Sequence, residues 1–376
     1  MKIILAGGGS GGHFYPLIAV TEAIRDVIRD RKLLQAKIHY LAPSPYNAGM
    51  LFDNEIEFHK IHAGKMRRNY NFLQNIPDLL LTALGFIESF FKVFSIFPDI
   101  IFSKGGFMSI PVVFAGKILG IPIVIHESDS VPGRANLKAG KFANRVAIAF
   151  AEAAEYFDKD KVAWTGNPLR KEIMDPKSDG AHEYLGLEKG VPIILVMGGS
   201  LGAQKINNCI VDALPFLLDR YQIIHQTGKV NFPEIEGMTK ISLEGHEHKS
   251  RYHLYDYLNP LALRMSASVT NLIVSRGGST IFEIAMWGIP SILIPITDSN
   301  GDHQRKNSYN YARSGGAIVI EENNMTPEIL LTEINNILDN PDRATRMREG
   351  ALSFAKPDAA RKIAEMLVDI ALTHEK

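Results

Sequence analysis

Lys2-Ile3-Ile4-Leu5-Ala6-Gly7-Gly8-Gly9-Ser10-Gly11-Gly12-His13 opens the chain with an apolar run of strand length that breaks into glycines and then into residues of helical character. Glycines at such a turn let main-chain N–H groups approach an anion closely, and the helix that follows adds the positive end of its dipole. The same grammar recurs at Gly198-Gly199-Ser200-Leu201-Gly202 and at Ser275-Arg276-Gly277-Gly278-Ser279-Thr280. Two of the three turns lie near the starts of the two halves of the chain. The pattern predicts two nucleotide-type domains facing one cleft, with phosphate handling as the leading theme.

Working outward, residues 3–6, 38–41, 100–103, 121–126 and 145–149 read as short apolar strands separated by helical stretches. Residues 193–197, 222–226, 272–274, 291–295 and 317–320 repeat that alternation in the second half. Apolar strands alternating with helices form a doubly wound parallel sheet, so the expected class is α/β with two similar domains. Their join falls at Trp164-Thr165-Gly166-Asn167-Pro168, which puts Arg170 at the hinge. The expected division is 1–166, 167–356 and a terminal segment 357–376, in which Pro357 precedes an amphipathic helix that packs back on the first domain.

The chain has 376 residues, more than one hydrophobic core usually organises, and Lys plus Arg equals Asp plus Glu at 41 each. No global field therefore draws it to nucleic acid. Its single cysteine, Cys209, cannot close an internal disulfide and reads as packing filler in a reducing cytosol. Met1 runs directly into the first strand with no signal-peptide pattern, so export is not expected.

Gly7, Gly9 and Gly12 satisfy the dinucleotide fingerprint G-x-G-x-x-G, but Ile38-His39-Tyr40-Leu41 runs into Ala42-Pro43-Ser44-Pro45. The acid that would bind a dinucleotide ribose is missing there. No G-K-[ST] follows any turn, which removes the P-loop reading. His13 instead places an imidazole at a helix start, where it can take a proton. Glu283, one helical turn beyond Ser279-Thr280, is placed to accept both hydroxyls of a ribose, and Asp302-His303-Gln304 offers hydrogen-bonding groups for a sugar. His126-Glu127-Ser128-Asp129 follows a strand at the carboxyl end where open α/β sheets bind ligands. Asp158-Lys159-Asp160 reads as a loop, and His246, His248 and His253 read as part of an exposed polar insertion, so no metal and no cofactor are expected in the mechanism.

Residues 70–97 are rich in Phe, Leu and Ile, with Phe72, Leu80 and Leu84 among them and Lys65, Arg67 and Arg68 just upstream. Asp78, Glu88 and Lys92 interrupt the run, which argues against a transmembrane span. Apolar residues beside cations suit the surface of an anionic bilayer. A core helix after a solvated loop is the competing reading.

Taken in order, Gly8-Gly9-Ser10-Gly11-Gly12-His13, Lys104-Gly105-Gly106-Phe107, His126-Glu127, Gly166-Asn167-Pro168-Leu169-Arg170, Gly198-Gly199-Ser200-Leu201-Gly202-Ala203, Ser275-Arg276-Gly277-Gly278 and Asp302-His303-Gln304 resemble the MurG family of bacterial glycosyltransferases over nearly the whole chain. That resemblance implies a GT-B fold of two Rossmann-like domains. It implies an inverting transfer of N-acetylglucosamine from UDP-N-acetylglucosamine to an undecaprenyl-diphosphate-linked muramyl pentapeptide, on the cytoplasmic face of the cell membrane. It makes His13 the general base and the second domain the main holder of the donor. Ser10, Gly11 and Gly12 would border the donor sugar and diphosphate, Asp129 the sugar, and Arg170 and Ser200 the phosphates. Gly278, Ser279, Thr280, Ile281, Phe282 and Glu283 would line the nucleoside, and Gln304 the N-acetylglucosamine. The chain departs from the family pattern with Ser10 in place of Thr and Asp129 in place of Asn. The latter keeps open another GT-B transferase acting on a glycolipid or capsular acceptor. A noncatalytic nucleotide-sugar-binding module is the alternative from a different class.

Overall fold

The computed structural model describes residues 1–64, 76–199, 202–297 and 300–374. They form two compact units, Met1–Arg170 with Lys356–Lys376, and Lys171–Ala355.

The first unit is built on seven strands: β1 (Lys2–Ala6), β2 (Lys37–Ala42), β3 (Ile56–Lys60), β4 (Ile100–Ser103), β5 (Ile123–Glu127), β6 (Arg145–Ile148) and β7 (Val162–Trp164). All pair in parallel, in the order β3-β2-β1-β4-β5-β6-β7. β1 pairs with β2 on one side and β4 on the other, so the strand order reverses between β1 and β4. A crevice opens at such a switch point beyond the carboxyl ends, and the turns after β1 and β4 are its walls.

The second unit repeats the plan with β8 (Ile193–Met197), β9 (Gln222–Gln226), β10 (Tyr252–Tyr255), β11 (Leu272–Ser275), β12 (Ser291–Leu293) and β13 (Ala317–Val319), in the order β10-β9-β8-β11-β12-β13. Its switch point lies between β8 and β11, the strands that feed the second and third glycine turns.

Three edge strands fall where the sequence pattern gives none: the short β7, β3 and β10. β3 alternates apolar with charged side chains and is half exposed. β10 occupies part of the polar stretch read as an exposed insertion, and His253 sits in it, partly enclosed. An edge strand buries one face weakly, so its hydrophobic signal is correspondingly thin.

The terminal Ala359–His374 helix packs along the Gly11–Asp30 helix. Ile363, Leu367, Val368 and Ala371 join a core with Ile3, Leu5, Phe14, Leu17 and Ile24, all fully buried. Arg361 reinforces the seam by pairing with Asp30 at 2.9 Å. The Ile76–Ile96 helix behaves differently. It buries Gly85, Ser89 and Val93 but exposes Leu80, Leu84, Ile87, Phe91 and Phe94, a stripe at spacings of three and four residues. Glu88 does not interrupt that stripe, because it accepts hydrogen bonds from the His62 main-chain N–H at 2.7 Å and from Nδ1 at 2.9 Å.

Leu367→Ala removes a fully buried side chain that the terminal helix contributes to the first unit's core, and is expected to cost about 2–5 kcal/mol. Chemical denaturation followed on the first unit's transition checks this. A loss below about 1 kcal/mol would show that the helix is dispensable to that core.

Candidate active site

At the first unit's switch point, Gly7, Gly8 and Gly9 adopt φ of 143°, 138° and 84°. Only glycine holds this path comfortably, and at Gly8 a Cβ would also stand 2.5 Å from the Tyr40 hydroxyl. That hydroxyl donates to the Gly7 carbonyl at 2.7 Å, fixing the turn to the neighbouring strand β2. Lys104 N–H donates to the Ala6 carbonyl at 2.9 Å, which brings the turn after β4 alongside.

Ser10 then stands at the N-cap of the Gly11–Asp30 helix without capping it. Its Oγ lies 2.8 Å from His13 Nδ1 instead. The His13 and Phe14 amides are spent on the Ser10 carbonyl, while those of Gly11 and Gly12 have no acceptor among the described residues. His13 Nε2 is turned toward Gly106, where a Cβ would sit 3.6 Å away. The ring's proton affinity drops from 6.5 to about 4, first through burial, then through the Lys104 ammonium, with Asp129 opposing.

Behind His13 lies a set of buried polar groups. Lys104 is 1% exposed, and its Nζ has no hydrogen-bond partner among the described residues. Burial pulls its pKa below the ordinary value, against the attraction of Glu127 and Asp129. Glu127 accepts from the Asp129 N–H at 2.9 Å, the Gly133 N–H at 3.0 Å and Asn136 Nδ2 at 3.0 Å. Burial and the Asp129 charge nevertheless raise its pKa. His126 Nε2 lies 2.9 Å from the Gly166 carbonyl and donates to it, and burial holds the ring neutral. Lys104 Nζ, His126 Nδ1, Asn136 Oδ1 and Asn167 Oδ1 account for four of the eight buried side-chain polar atoms that lack a partner among the described residues. Native interiors satisfy such groups, so their concentration around one carboxyl end marks a place built for a polar ligand. Arg170, also buried, stacks its guanidinium over Tyr15 at 4.3 Å, one residue past Phe14 on the same helix.

In the second unit the Ser200 position lies outside the described residues, but the glycines around it do not. Gly199 and Gly202 have φ of 81° and 77°, and the Gly202 N–H closes on the Gly199 carbonyl at 3.0 Å before the Gln204–Leu217 helix begins. In the turn after β11, Gly277 is required by contact: a Cβ would stand 2.3 Å from the Gln304 carbonyl and 2.2 Å from Ser308 Oγ. The structure thus brings the Gly278–Glu283 segment against the start of the His303–Ala312 helix, where Gln304 Oε1 accepts from the Ile296 N–H at 3.3 Å.

Ile281 and Phe282 point inward. Ile281 is fully buried, and Phe282 stacks on Phe354 with centroids 5.8 Å apart. Their amides are also spent, on the Gly278 and Ser279 carbonyls at 3.2 and 3.1 Å. The amides of Gly278, Ser279 and Thr280 have no acceptor among the described residues, and they head a helix with Glu283 in its first turn. Arg276, by contrast, is consumed structurally. It pairs with Glu322 at 2.6 Å and donates to the Ile294 carbonyl at 3.0 Å. Burial would raise the Glu322 carboxyl, but hydrogen bonds from Lys205 and Arg276 prevail and hold it at about 2. Lys65, Arg67, Arg68 and Phe72 lie outside the described residues, whereas Leu80 and Leu84 are exposed on the Ile76–Ile96 helix.

Residues 3–148 match the glycosyltransferase family 28 N-terminal domain and residues 193–363 the corresponding C-terminal domain. The chain is 36% identical over 343 residues to "UDP-N-acetylglucosamine--N-acetylmuramyl-(pentapeptide) pyrophosphoryl-undecaprenol N-acetylglucosamine transferase 2" of Bacillus cereus, covering 90% of this chain and 92% of that one. The chain belongs to this transferase family. A relative of the same name without the numeral, from Pediococcus pentosaceus, is 33% identical and covers 98% of this chain and 99% of its own length. The crystal structure of Acinetobacter baumannii MurG superposes with a TM-score of 0.72 at 22% identity, covering 98% of this chain and 99% of that one. Family and fold agree on a GT-B glycosyltransferase with two parallel-sheet units.

Lys104, Tyr40 and Asn136 join the candidate site without having been singled out from the sequence as site residues. Lys104 does stand in a motif with Gly105-Gly106, and a lysine between a buried strand and two glycines is the signal available.

Because burial keeps His13 neutral at about 4 and His225, in the second unit, at about 3, both folded units bind fewer protons than the unfolded chain between pH 6.5 and those values. Their contribution is fully present above pH 6.5 and is lost as pH falls, at up to about 1.4 kcal/mol per pH unit per histidine. Calorimetry at pH 7 and pH 5 should show both transitions shifting down, with the first unit's slope reduced in His13→Gln. Melting temperatures that do not move over that interval would refute the assignment.

Proposed function

We propose that this chain transfers N-acetylglucosamine from UDP-N-acetylglucosamine to the C4 hydroxyl of the muramyl sugar in an undecaprenyl-diphosphate-linked pentapeptide, with inversion at the anomeric carbon. The observation that carries this reading is the Ser10–His13 pair at 2.8 Å on a glycine turn whose next amides have no acceptor among the described residues. The names of its relatives supply the substrates.

In the tautomer that donates Nδ1–H to Ser10 Oγ, His13 carries its lone pair on Nε2, so it starts in the form a general base requires. A ring held at about 4 has low proton affinity, however. A diphosphate bound at this turn offsets the Lys104 charge that contributes to that depression, and its own charge favours the imidazolium. Substrate arrival therefore strengthens the base. Departing UDP gains negative charge, which the amides of Gly278, Ser279 and Thr280 and the helix they head are oriented to stabilise. Glu283 takes the ribose diol, Gln304 the sugar, and Arg170 and Ser200 the phosphates. Gly11, Gly12 and Asp129 complete the ring of polar groups near His13, and the reaction proceeds without added magnesium.

The acceptor is a bilayer lipid, and the exposed Leu80, Leu84, Ile87, Phe91 and Phe94 stripe fits a peripheral mode of attachment at the cytoplasmic face. The Ile76–Ile96 helix is long and apolar enough to cross a membrane by length and composition. Its Gly85, Ser89 and Val93 face is buried against protein, and Phe86 packs on Phe114 with centroids 5.6 Å apart, which supports lying on the surface instead. Lys65, Arg67 and Arg68 precede it in sequence and would meet anionic head groups at about 1 kcal/mol each.

His13→Ala should lower kcat by about 10²- to 10⁴-fold with UDP affinity retained. Glu283→Ala should weaken UDP binding roughly tenfold or more. Single-turnover transfer to a short-chain acceptor, paired with calorimetric UDP titration, separates the two. Full turnover in His13→Ala would end its role as base.

The double variant Leu84→Glu, Phe91→Glu should partition to anionic vesicles roughly tenfold more weakly than the parent, with an unchanged circular dichroism spectrum. Unchanged sedimentation with vesicles would remove this face from membrane attachment.

A further inference from the structure

Away from the glycine turns, on the paired edge strands β2 and β3, His39, Glu57 and His59 converge. His39 and Glu57 are register partners across the two strands, and His59, two residues along β3, returns to the same side of the sheet. His39 Nδ1 lies 3.0 Å from His59 Nε2 and 3.3 Å from Glu57 Oε2, and His59 Nε2 lies 3.4 Å from Glu57 Oε1. Ligand bonds of 2.0–2.1 Å in a tetrahedron place neighbouring donor atoms about 3.3–3.4 Å apart. Both histidine-to-Glu57 separations have that length, each to a different carboxylate oxygen, so a small pivot of the carboxylate completes the set, and the His39–His59 edge needs to open by only a few tenths of an ångström.

We infer that His39, Glu57 and His59 form a divalent-cation site of the zinc class, with a solvent molecule as fourth ligand. The donor set suits such an ion: two imidazoles and one carboxylate, with neither soft sulfur nor the all-oxygen shell that calcium and magnesium prefer. Glu57 lies beside both rings, at 3.3 and 3.4 Å, so it is the group that offsets the incoming ion's charge. His39 and His59 are largely enclosed while Glu57 is 65% exposed, so an ion can enter from the Glu57 side without disturbing the sheet.

The role follows from position. β3 is an edge strand whose ladder partner among the described residues is β2, and it leads toward His62, which anchors Glu88 of the Ile76–Ile96 helix. An ion bridging β2 and β3 is a cross-strand staple on the segment that carries this helix. It is separate from the transfer chemistry and does not depend on the proposed reaction.

The test uses the full chain, stripped with chelator and dialysed, and Zn²⁺ alone as the probe. Equilibrium dialysis should give one equivalent per chain, with a zinc-dependent rise in the first unit's melting temperature. Co²⁺ should give the visible absorption of a tetrahedral site. His59→Ala should weaken binding by more than the roughly 10- to 100-fold that changes outside the ligand shell cost, Glu57→Gln should weaken it less, and His59→Cys should restore it. An apo protein that takes up no zinc overturns the inference. So does undiminished binding in a folded His59→Ala variant, which would place the ion on other histidines. If His59→Ala does not fold, weakened binding in Glu57→Gln together with retained binding in His59→Cys decides in favour, and unchanged binding in Glu57→Gln or lost binding in His59→Cys decides against.

Discussion

Everything near His13 depends on how closely two main-chain turns approach each other at the switch point of one parallel sheet. β1 and β4 are hydrogen-bonded neighbours, so the peptides leaving their carboxyl ends must pass side by side, and no side chain fits between them. The Tyr40 hydroxyl takes the space that a side chain on residue 8 would need and ties the Gly7 carbonyl down. Ser10 reaches the imidazole, and the Gly11 and Gly12 amides are left without an acceptor among the described residues, because the path through residues 7–9 is forced. The second unit meets the same constraint at Gly277, wedged against Gln304 and Ser308, with a different chemical result: its amides head a short helix with a carboxylate in the first turn.

The first unit accepts an electrostatic penalty at this place. An ammonium, a carboxylate, two neutral imidazoles and two amide oxygens share a region largely shielded from water, and several of their polar atoms have nothing in the described residues to bond. A fold selected for stability alone would replace such groups with packed hydrocarbon. Retaining them suits a polar ligand that offers donors to the acceptors His126 Nδ1, Asn136 Oδ1 and Asn167 Oδ1 and an acceptor to the Lys104 ammonium. The same burial that costs stability keeps the His13 imidazole neutral. The second unit handles its buried charge conventionally, with Arg276 and Lys205 both satisfied on Glu322.

Much of this was legible in the chain, and what was not has a physical reason. The strand, glycine and helix succession is local, so β1, β4, β8 and β11 and the turns after them can be read from periodicity and composition. β3 and β10 cannot, because Glu57, His59 and Lys60 in one and His253 in the other dilute the apolar signal of edge strands. Glu283 and Gln304 could be proposed from residue type, but their approach to one turn rests on Gly277 packing against a helix begun 26 residues later. Ile281 and Phe282 illustrate the opposite limit: a motif places a residue beside a ligand, yet only the fold shows that their side chains belong to the core. The three metal-spaced donors on β2 and β3 are invisible in the same way, since a parallel pairing, not sequence proximity, brings residue 39 to residues 57 and 59.

The return of the terminal helix to the first unit sets an order on biogenesis. Residues 171–355 intervene between that unit's last strand and the helix that covers Ile3, Leu5 and Leu17. At about 5–20 residues per second, a ribosome needs roughly 10–40 s to make that interval. The first half of the polypeptide therefore waits, with an oily groove open, while the uninterrupted second unit is made. Vectorial synthesis thus leaves the part that emerges first to be finished last, and the growing chain needs protection from sticking to its neighbours for about half of its translation.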